Sequence, residues 1–145
     1  MKKLLPILLF MFACPLWAVP LRILVTSDMH GYLLPRQEGA LTVGGAAEML
    51  AYWKKYEGYH PDKFLTISCG DIWDNGPLLS PLLKGAPTID AMNLMGYDAC
   101  AVGNHETGIV TPQTWQQQAK FPFVSANLQK DGKPWENVQP YVVLE

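Results

Sequence analysis

Ala99-Cys100-Ala101-Val102-Gly103-Asn104-His105-Glu106 is the stretch that decides the fold, because an apolar run of strand length ends in polar side chains. Two earlier segments share this plan: residues 23–27 lead into Asp28-Met29-His30, and residues 64–68 lead into Gly70-Asp71. In open α/β sheets, ligand sites lie outside the carboxyl ends of the strands. The polar side chains expected to meet there are Asp28, His30, Asp71, Asn104 and His105. Oxygen and imidazole donors of this mix suit a divalent ion such as Mn²⁺, Zn²⁺ or Fe²⁺.

Apolar runs of strand length alternate with segments of helical periodicity along the chain, which predicts a largely parallel α/β sheet. Strands are predicted at residues 21–27, 64–68, 98–102, 122–126 and 141–144. Helices are predicted at residues 44–57, at 78–83 as a single turn, from an N-cap at Thr88 to Gly96, and from an N-cap at Thr111 to Lys120. Residues 32–42 are expected to form a loop, and Asp131-Gly132 a turn.

In their order these motifs resemble the calcineurin-like metallophosphoesterase superfamily, with its pattern D-x-H, then GD, then GNH[DE]. Within it the chain is most similar to the secreted bacterial 5′-nucleotidase branch. Further matching pieces are Gly44-Gly45, Pro77, residues 92–99 (MNLMGYDA) and residues 125–128 (SANL). The resemblance runs from Leu21 to the last residue. It implies a sandwich of two β-sheets flanked by helices, of which residues 19–145 would supply only the N-terminal half.

The resemblance also implies a role for each polar side chain at the strand ends. Two divalent metal ions are expected. Asp71 would bridge them, Asp28 and His30 would bind the first ion, and Asn104 would bind the second through its amide oxygen. His105 resembles the catalytic histidine, which would stabilise the charge on the phosphoryl group or protonate the leaving alkoxide. No organic cofactor is implied.

Two departures from the branch bear on activity. GNHE usually continues with an aromatic residue and then an Asp that orients the histidine, whereas this chain has Thr107 and Gly108. The remaining metal ligands, a histidine and a later GH-x-[HQ] pair, would lie beyond Glu145, and none of the three histidines follows His105. The sequence therefore supplies about half a coordination shell, and we expect a truncated catalytic domain.

Several other polar or reactive side chains are expected to play structural parts. Asp74 could be a further ligand in a GD-x-x-D pattern, but a solvated loop carboxylate is favoured. Structural or solvent-facing roles are expected for Asp98, Glu106 and His60. Cys69 and Cys100 are expected to be buried free thiols rather than a disulfide, since adjacent parallel strands seldom offer the required Cβ geometry. The aromatic side chains expected to pack rather than to clamp a nucleoside are Trp53, Tyr56 and Tyr59.

The N-terminus has the pattern of a secretory signal peptide, residues 1–18. Lys2 and Lys3 precede an apolar segment at residues 4–13, which is too short to span a bilayer, and Ala18 is a plausible cleavage point. Two alternatives stay open, a lipoprotein modified at Cys14 and an uncleaved membrane anchor. The favoured prediction is a periplasmic or secreted protein without a stable membrane span after cleavage.

The bulk composition allows a folded enzyme and gives no sign of a nucleic-acid polymer as partner. Apolar residues make up 49% of the chain and the net charge is −2, with no basic run. The leading hypothesis is an exported 5′-nucleotidase-like hydrolase acting on nucleotides or other phosphate esters. The alternatives are a 2′,3′-cyclic nucleotide phosphodiesterase or a thiosulfohydrolase on the same scaffold, and an inactive remnant or binding module. The missing C-terminal half is a possible partner.

Overall fold

The computed structural model describes residues 20–109 and 112–144. In chain order its strands are β1 (Ile23–Thr26), β2 (Arg36–Glu38), β3 (Leu41–Val43), β4 (Leu65–Ser68), β5 (Ala99–Ala101), β6 (Phe123–Val124), β7 (Gln129–Lys130) and β8 (Lys133–Pro134). The α-helices are α1 (Ala46–Tyr52), α2 (Leu79–Leu82), α3 (Ala86–Met95), α4 (Glu106–Ile109) and α5 (Pro112–Gln118). A 3₁₀ turn (Pro61–Lys63) precedes β4.

Four strands form one parallel sheet in the order β1-β4-β5-β6. Ile23 pairs with Leu65, and Ile67 pairs with Ala99 on the next strand. β2 pairs with β3 and β7 with β8 as separate antiparallel hairpins. Because β1, β4 and β5 run the same way, the segments that follow them meet at one edge. The parallel α/β architecture predicted from the sequence is confirmed, and the second sheet of the sandwich stays a prediction.

One face of the parallel sheet carries the core. Side chains from alternate positions of three strands are buried there: Thr66, Ser68, Cys100 and Phe123. Aromatic residues cover this face, with the Trp53 and Tyr59 rings 5.4 Å apart and the Trp115 ring 5.3 Å from that of Phe123. Trp53 and Tyr59 are therefore core residues, as expected, while Tyr56 is exposed.

The first long helix is confirmed with one local change. α1 continues into a π-helical turn (Trp53–Glu57) that brings Trp53 onto the core, and Gly58 ends it in the left-handed region at φ 66°. Glycine takes this conformation without the steric cost that a Cβ brings. The predicted single turn at residues 78–83 is confirmed as α2.

Three details of the secondary-structure prediction are wrong, and one is confirmed. Thr88 is not an N-cap, because α3 begins two residues earlier with Pro87 in its first turn, and Thr88 is buried. Residues 32–42 include most of the β2–β3 hairpin, which closes at Gly39. The predicted Asp131-Gly132 turn is confirmed, and it closes a second hairpin at residues 129–134. Residues 141–144 are not a strand: the parallel bridge between Val124 and Gln139 marks the last pairing in the described part of the chain.

Two predictions fall on residues that the structure does not describe. The N-cap at Thr111 and the signal segment at residues 1–18 lie outside the described residues. Within residues 20–109 and 112–144, no helix has the length and hydropathy to cross a bilayer.

Candidate metal centre

Three side chains from three strand ends converge at the carboxyl edge of the parallel sheet. His30 follows β1, Asp71 follows β4 and His105 follows β5, and each offers a ligand atom within 4.8 Å of the other two. All three are half-buried. His30 and Asp71 offer an imidazole and a carboxylate, which suit a divalent transition-metal ion, and the His105 imidazole lies beside them. The expected meeting of the strand ends is therefore observed for these residues.

The other two predicted ligands lie at the rim of this group. Asp28 Oδ1 is 3.7 Å from His30 Nε2, and its side chain is 61% exposed. The Ser27 hydroxyl donates to the second oxygen of Asp28. Asn104 is exposed and sits between Gly103 and His105, both of whose backbone N–H groups are bound within the site. The side chains of Asp28 and Asn104 are therefore exposed at the edge of the site and are not held by packing.

Backbone hydrogen bonds continue the pairing of β1 and β4 beyond the strands. Asp28 N donates to Gly70 O at 3.1 Å, and His30 N donates to Asp71 O at 3.0 Å. Asp28, His30 and Asp71 all have positive φ, at 56°, 46° and 54°. Non-glycine residues rarely adopt this region, and such strain clusters at functional sites. The backbone therefore holds these side chains in place at a conformational cost.

Glu106 is the residue that ties the second and third strand ends together. Its fully buried carboxylate accepts hydrogen bonds from the backbone N–H groups of Asp71 (2.9 Å), Ile72 (2.8 Å) and Gly103 (2.5 Å). Burial raises the pKa of Glu106 above its usual range, the three N–H groups oppose the shift, and the nearby Asp71 charge adds to it. The prediction of a structural role is confirmed and that of a solvent-facing one is wrong.

The closeness of these two turns requires glycine on both sides. Gly70 has φ 99°, and a Cβ at that position would lie 2.6 Å from Gly103 N. A Cβ at Gly103 would collide with Asp71 Oδ1. His105 N donates to the same Asp71 oxygen at 3.1 Å. The GD and GN motifs are therefore two halves of one packed structure.

The turn at Asp74-Asn75 contacts both imidazoles. His30 Nδ1 donates to Asp74 O at 3.0 Å, which leaves His30 Nε2 free to bind an ion. The Asp74 carboxylate Oδ2 lies 3.5 Å from His105 Nδ1. The two imidazole rings are perpendicular with centroids 4.8 Å apart. Asp74 is a loop carboxylate with a 37% exposed side chain, as expected, and it also faces His105, which the sequence did not predict.

The remaining structural expectations have mixed outcomes. Asp98 Oδ2 accepts from Thr66 N at 2.7 Å, and His60 caps the 3₁₀ turn, so both have structural roles. Both cysteines are free thiols as expected, but Cys69 is exposed and only Cys100 is buried. Burial, together with the nearby Glu106 charge, raises the pKa of the Cys100 thiol far above its usual range, which keeps it inert.

A cavity of about 420 Å³ opens beside the candidate metal centre. Asp28 lines it together with Met29, Tyr32, Arg36 and Met49. The Arg36 guanidinium lies over the Tyr32 ring, 4.1 Å from its centroid, and bonds Glu38 at 2.6 Å. The cavity gives a bound molecule room next to the candidate ligands.

A comparison with known protein families identifies the family to which this arrangement of strand ends belongs. Residues 21–144 match the calcineurin-like phosphoesterase family. The chain belongs to that family. Its phosphoesterase members are hydrolases, and the family resemblance stated from the motifs is confirmed.

Named relatives within the family point the same way. The chain is 36% identical over 121 residues to Protein UshA of Salmonella pullorum, covering 78% of this chain and 22% of that protein. It is 31% identical over 150 residues to the 5′-nucleotidase of Rattus norvegicus, covering 90% and 25%. The chain thus spans about a quarter of the length of these relatives.

Solved structures confirm the fold. A Staphylococcus aureus protein described as a 5′-nucleotidase superposes with a TM-score of 0.59 at 24% identity, over 79% of this chain and 24% of that one. The sulfate thiohydrolase SoxB of Thermus thermophilus gives a TM-score of 0.55 at 18% identity, over 81% and 33%. At these identities the likeness concerns the fold alone.

Proposed function

We propose that this chain is part of the catalytic domain of an exported 5′-nucleotidase-like hydrolase, which cleaves nucleotide phosphate monoesters at a centre of two divalent metal ions. The observation that carries the proposal is the convergence of His30, Asp71 and His105, with ligand atoms within 4.8 Å. Relatives named 5′-nucleotidase share 31% identity with the chain. Export rests on the signal-like pattern of residues 1–18.

In this proposal the predicted ligands keep their roles. Asp71 would be a ligand shared by both ions, Asp28 and His30 would hold the first, and Asn104 would hold the second. Bound divalent ions would supply Lewis acidity and an activated water for attack on phosphorus. Because His30 Nδ1 is engaged by Asp74 O, its Nε2 is the nitrogen available as a ligand. Because one Asp71 oxygen accepts from His105 N, the carboxylate is held in a fixed orientation.

His105 acts on the substrate in this proposal. Its ring stands perpendicular to His30, and Trp73 Nε1 donates to the His105 carbonyl at 3.2 Å, which anchors the backbone. An imidazole in this place can donate a hydrogen bond to a phosphoryl oxygen or a proton to the leaving alkoxide. Removal of a general acid or of one charge-stabilising donor typically costs about 10²–10⁴ in rate.

The test combines metal content and hydrolysis on the purified protein. We expect bound Mn²⁺ or Zn²⁺ in stoichiometric amounts after loading, and hydrolysis of AMP faster than that of 2′,3′-cyclic AMP or an S-sulfonated thiol. His105→Ala should retain metal and lose turnover, while His60→Ala, a change at an exposed histidine in another part of the chain, should alter neither.

Each alternative activity has its own result in this test. A preference for the cyclic nucleotide or the sulfur substrate would replace the 5′-nucleotidase assignment with a sister activity. Metal binding without hydrolysis of any substrate would indicate a binding module. Full activity of His105→Ala would refute the role given to His105.

A further inference from the structure

This chain lacks, at position 108, the carboxylate that orients the corresponding histidine in the resembled branch. That branch has an Asp three residues after the histidine, and this chain has Gly108 there. Gly108 has no side chain to bond an imidazole. Yet His105 Nδ1 does face a carboxylate, because Asp74 Oδ2 lies 3.5 Å away.

The contacts at both ring nitrogens of His105 agree on one tautomer. The Asn75 side-chain amide nitrogen lies 3.5 Å from His105 Nε2, and an amide N–H can only donate. In this arrangement a proton on Nδ1 would face the Asp74 carboxylate, and Nε2 would accept from Asn75. Donation to a phosphoryl oxygen or to the leaving alkoxide then uses the doubly protonated ring, in which Asp74 stabilises the imidazolium and Nε2–H is the donor.

The turn that carries these two side chains is itself held in position. Asp74 and Asn75 are both left-handed, with φ of 63° and 59°. Asn75 N donates to Asp74 Oδ1 at 2.9 Å, which leaves Oδ2 for His105. Asp74 O also accepts from His30 Nδ1. One turn thus contacts both histidines of the centre, with a different Asp74 oxygen for each.

We propose that Asp74 is the positioning residue of His105, and that it replaces the carboxylate which the resembled branch supplies from position 108. The effect on turnover rests on the proposed function, in which His105 acts on the substrate. The effect on the imidazole tautomer does not, because it depends only on contacts within this chain. In Ser-His-Asp triads an orienting carboxylate holds the imidazole in the productive tautomer, and its replacement by an amide costs about 10⁴ in kcat.

The decisive measurement is the tautomer of His105 in the metal-free protein. The chain has only three histidines, so ¹⁵N-histidine labelling gives a simple spectrum. At about pH 9 an ordinary imidazole is neutral, and the two nitrogen shifts report which one carries the proton. We expect the Nδ1–H form in the wild type and the Nε2–H form in Asp74→Asn. Asparagine tolerates the left-handed backbone, so this variant keeps the turn.

A second-site change makes the test specific. A Cβ at Gly108 would meet nothing within 4 Å, so Gly108→Asp has room for its side chain. In the Asp74→Asn background, Gly108→Asp should restore the Nδ1–H form. The matched control is Asp62→Asn, which alters an exposed His–Asp pair with a 3.3 Å contact to His60 and should leave His105 unchanged.

Turnover gives the second readout. Asp74→Asn should lower kcat on AMP by about tenfold to 10⁴-fold with KM within about twofold, and Gly108→Asp should recover most of the loss. A wild-type Nε2–H form, or a tautomer unchanged by Asp74→Asn, would overturn the proposal. The expected tautomers without hydrolysis by any variant would support the positioning role and contradict the proposed function.

Discussion

The two faces of the parallel sheet differ sharply in how they are covered. On one face Thr66, Ser68, Cys100 and Phe123 are buried under helices and aromatic rings. On the other, Ile23 and Val25 remain 49% and 57% exposed although both are apolar. We call these the covered face and the open face.

The described residues bury one face of the sheet and leave the apolar side chains of the other face exposed. Parallel sheets occur almost only with both faces covered, which is why their strands are apolar on both sides. The covered face supplies a core and fixes the strand ends that hold the candidate metal ligands. The open face has the composition of a second buried layer, which agrees with the sandwich expected from the sequence.

The largest effect should come from the covered face. Phe123→Ala removes a fully buried ring whose centroid lies 5.3 Å from that of Trp115 and 5.6 Å from that of Phe121. We expect a loss of about 3–5 kcal/mol in the free energy of unfolding, measured by urea denaturation. Val124→Ala, one residue later and on the open face, should cost about 1 kcal/mol. Equal losses would show that the two faces do not differ.

A smaller effect is expected from Glu106, which lies just beyond the carboxyl ends of the strands. Glu106→Gln keeps the shape but turns one acceptor oxygen into an N–H₂ group that faces backbone donors. This should cost about 1–3 kcal/mol and weaken metal binding about 10- to 100-fold, since the turns of Asp71 and Gly103 would separate. Urea denaturation and metal titration measure the two effects. Glu57→Gln, at an exposed glutamate, serves as the control. If Glu106→Gln changed neither stability nor metal binding, the role of Glu106 in joining the two turns would be refuted.

Much of the fold could be predicted because local pattern and tertiary structure agree there. Residues 23–26, 65–68 and 99–101 are apolar runs followed by Gly or Asp turns, and each forms a strand with a candidate ligand in the segment that follows it. The errors occur where long-range contacts decide. The strand expected at residues 141–144 lacks a neighbour to pair with in the described part of the chain, and a strand depends on such a neighbour for stability.

The candidate site was only partly predictable for the same reason. The residues with motif positions, His30, Asp71 and His105, do converge. Glu106 could have been recognised from its position three residues after Gly103, the spacing at which a glutamate returns to an N-cap backbone N–H. Asp74 could not be placed, because its contact with His105 bridges 31 residues and depends on two left-handed residues in the turn.

Alkaline pH should destabilise the covered face selectively. Burial raises the pKa of Tyr97 to about 12, against the Thr26 hydrogen bond, and burial also raises that of Cys100. Both groups keep their protons in the folded chain and lose them in the unfolded one, so their contribution is complete below the ordinary pKa values and is lost as pH rises. From Tyr97 alone we expect a loss of about 1 kcal/mol by about pH 11.

The measurement for this prediction is the slope of unfolding free energy against pH. Tyr97→Phe removes one titrating group and should flatten the slope above about pH 10. Tyr56→Phe, at an exposed tyrosine, should leave the slope unchanged. A wild-type protein whose stability rises over this range would contradict the burial of both groups.

The smallest effect is expected on the open face. Val25→Thr keeps the β-branched shape that suits a strand and places a hydroxyl at a position that is 57% exposed. The free energy of unfolding should change by no more than about 0.5 kcal/mol. Self-association of the chain, measured by sedimentation, should fall because exposed apolar surface is reduced. Leu24→Thr, the preceding residue on the covered face, buries its hydroxyl and should cost about 1–3 kcal/mol. If Val25→Thr lowers the free energy of unfolding as much as Leu24→Thr does, the open face is covered in solution. The two faces would then differ only in the isolated chain.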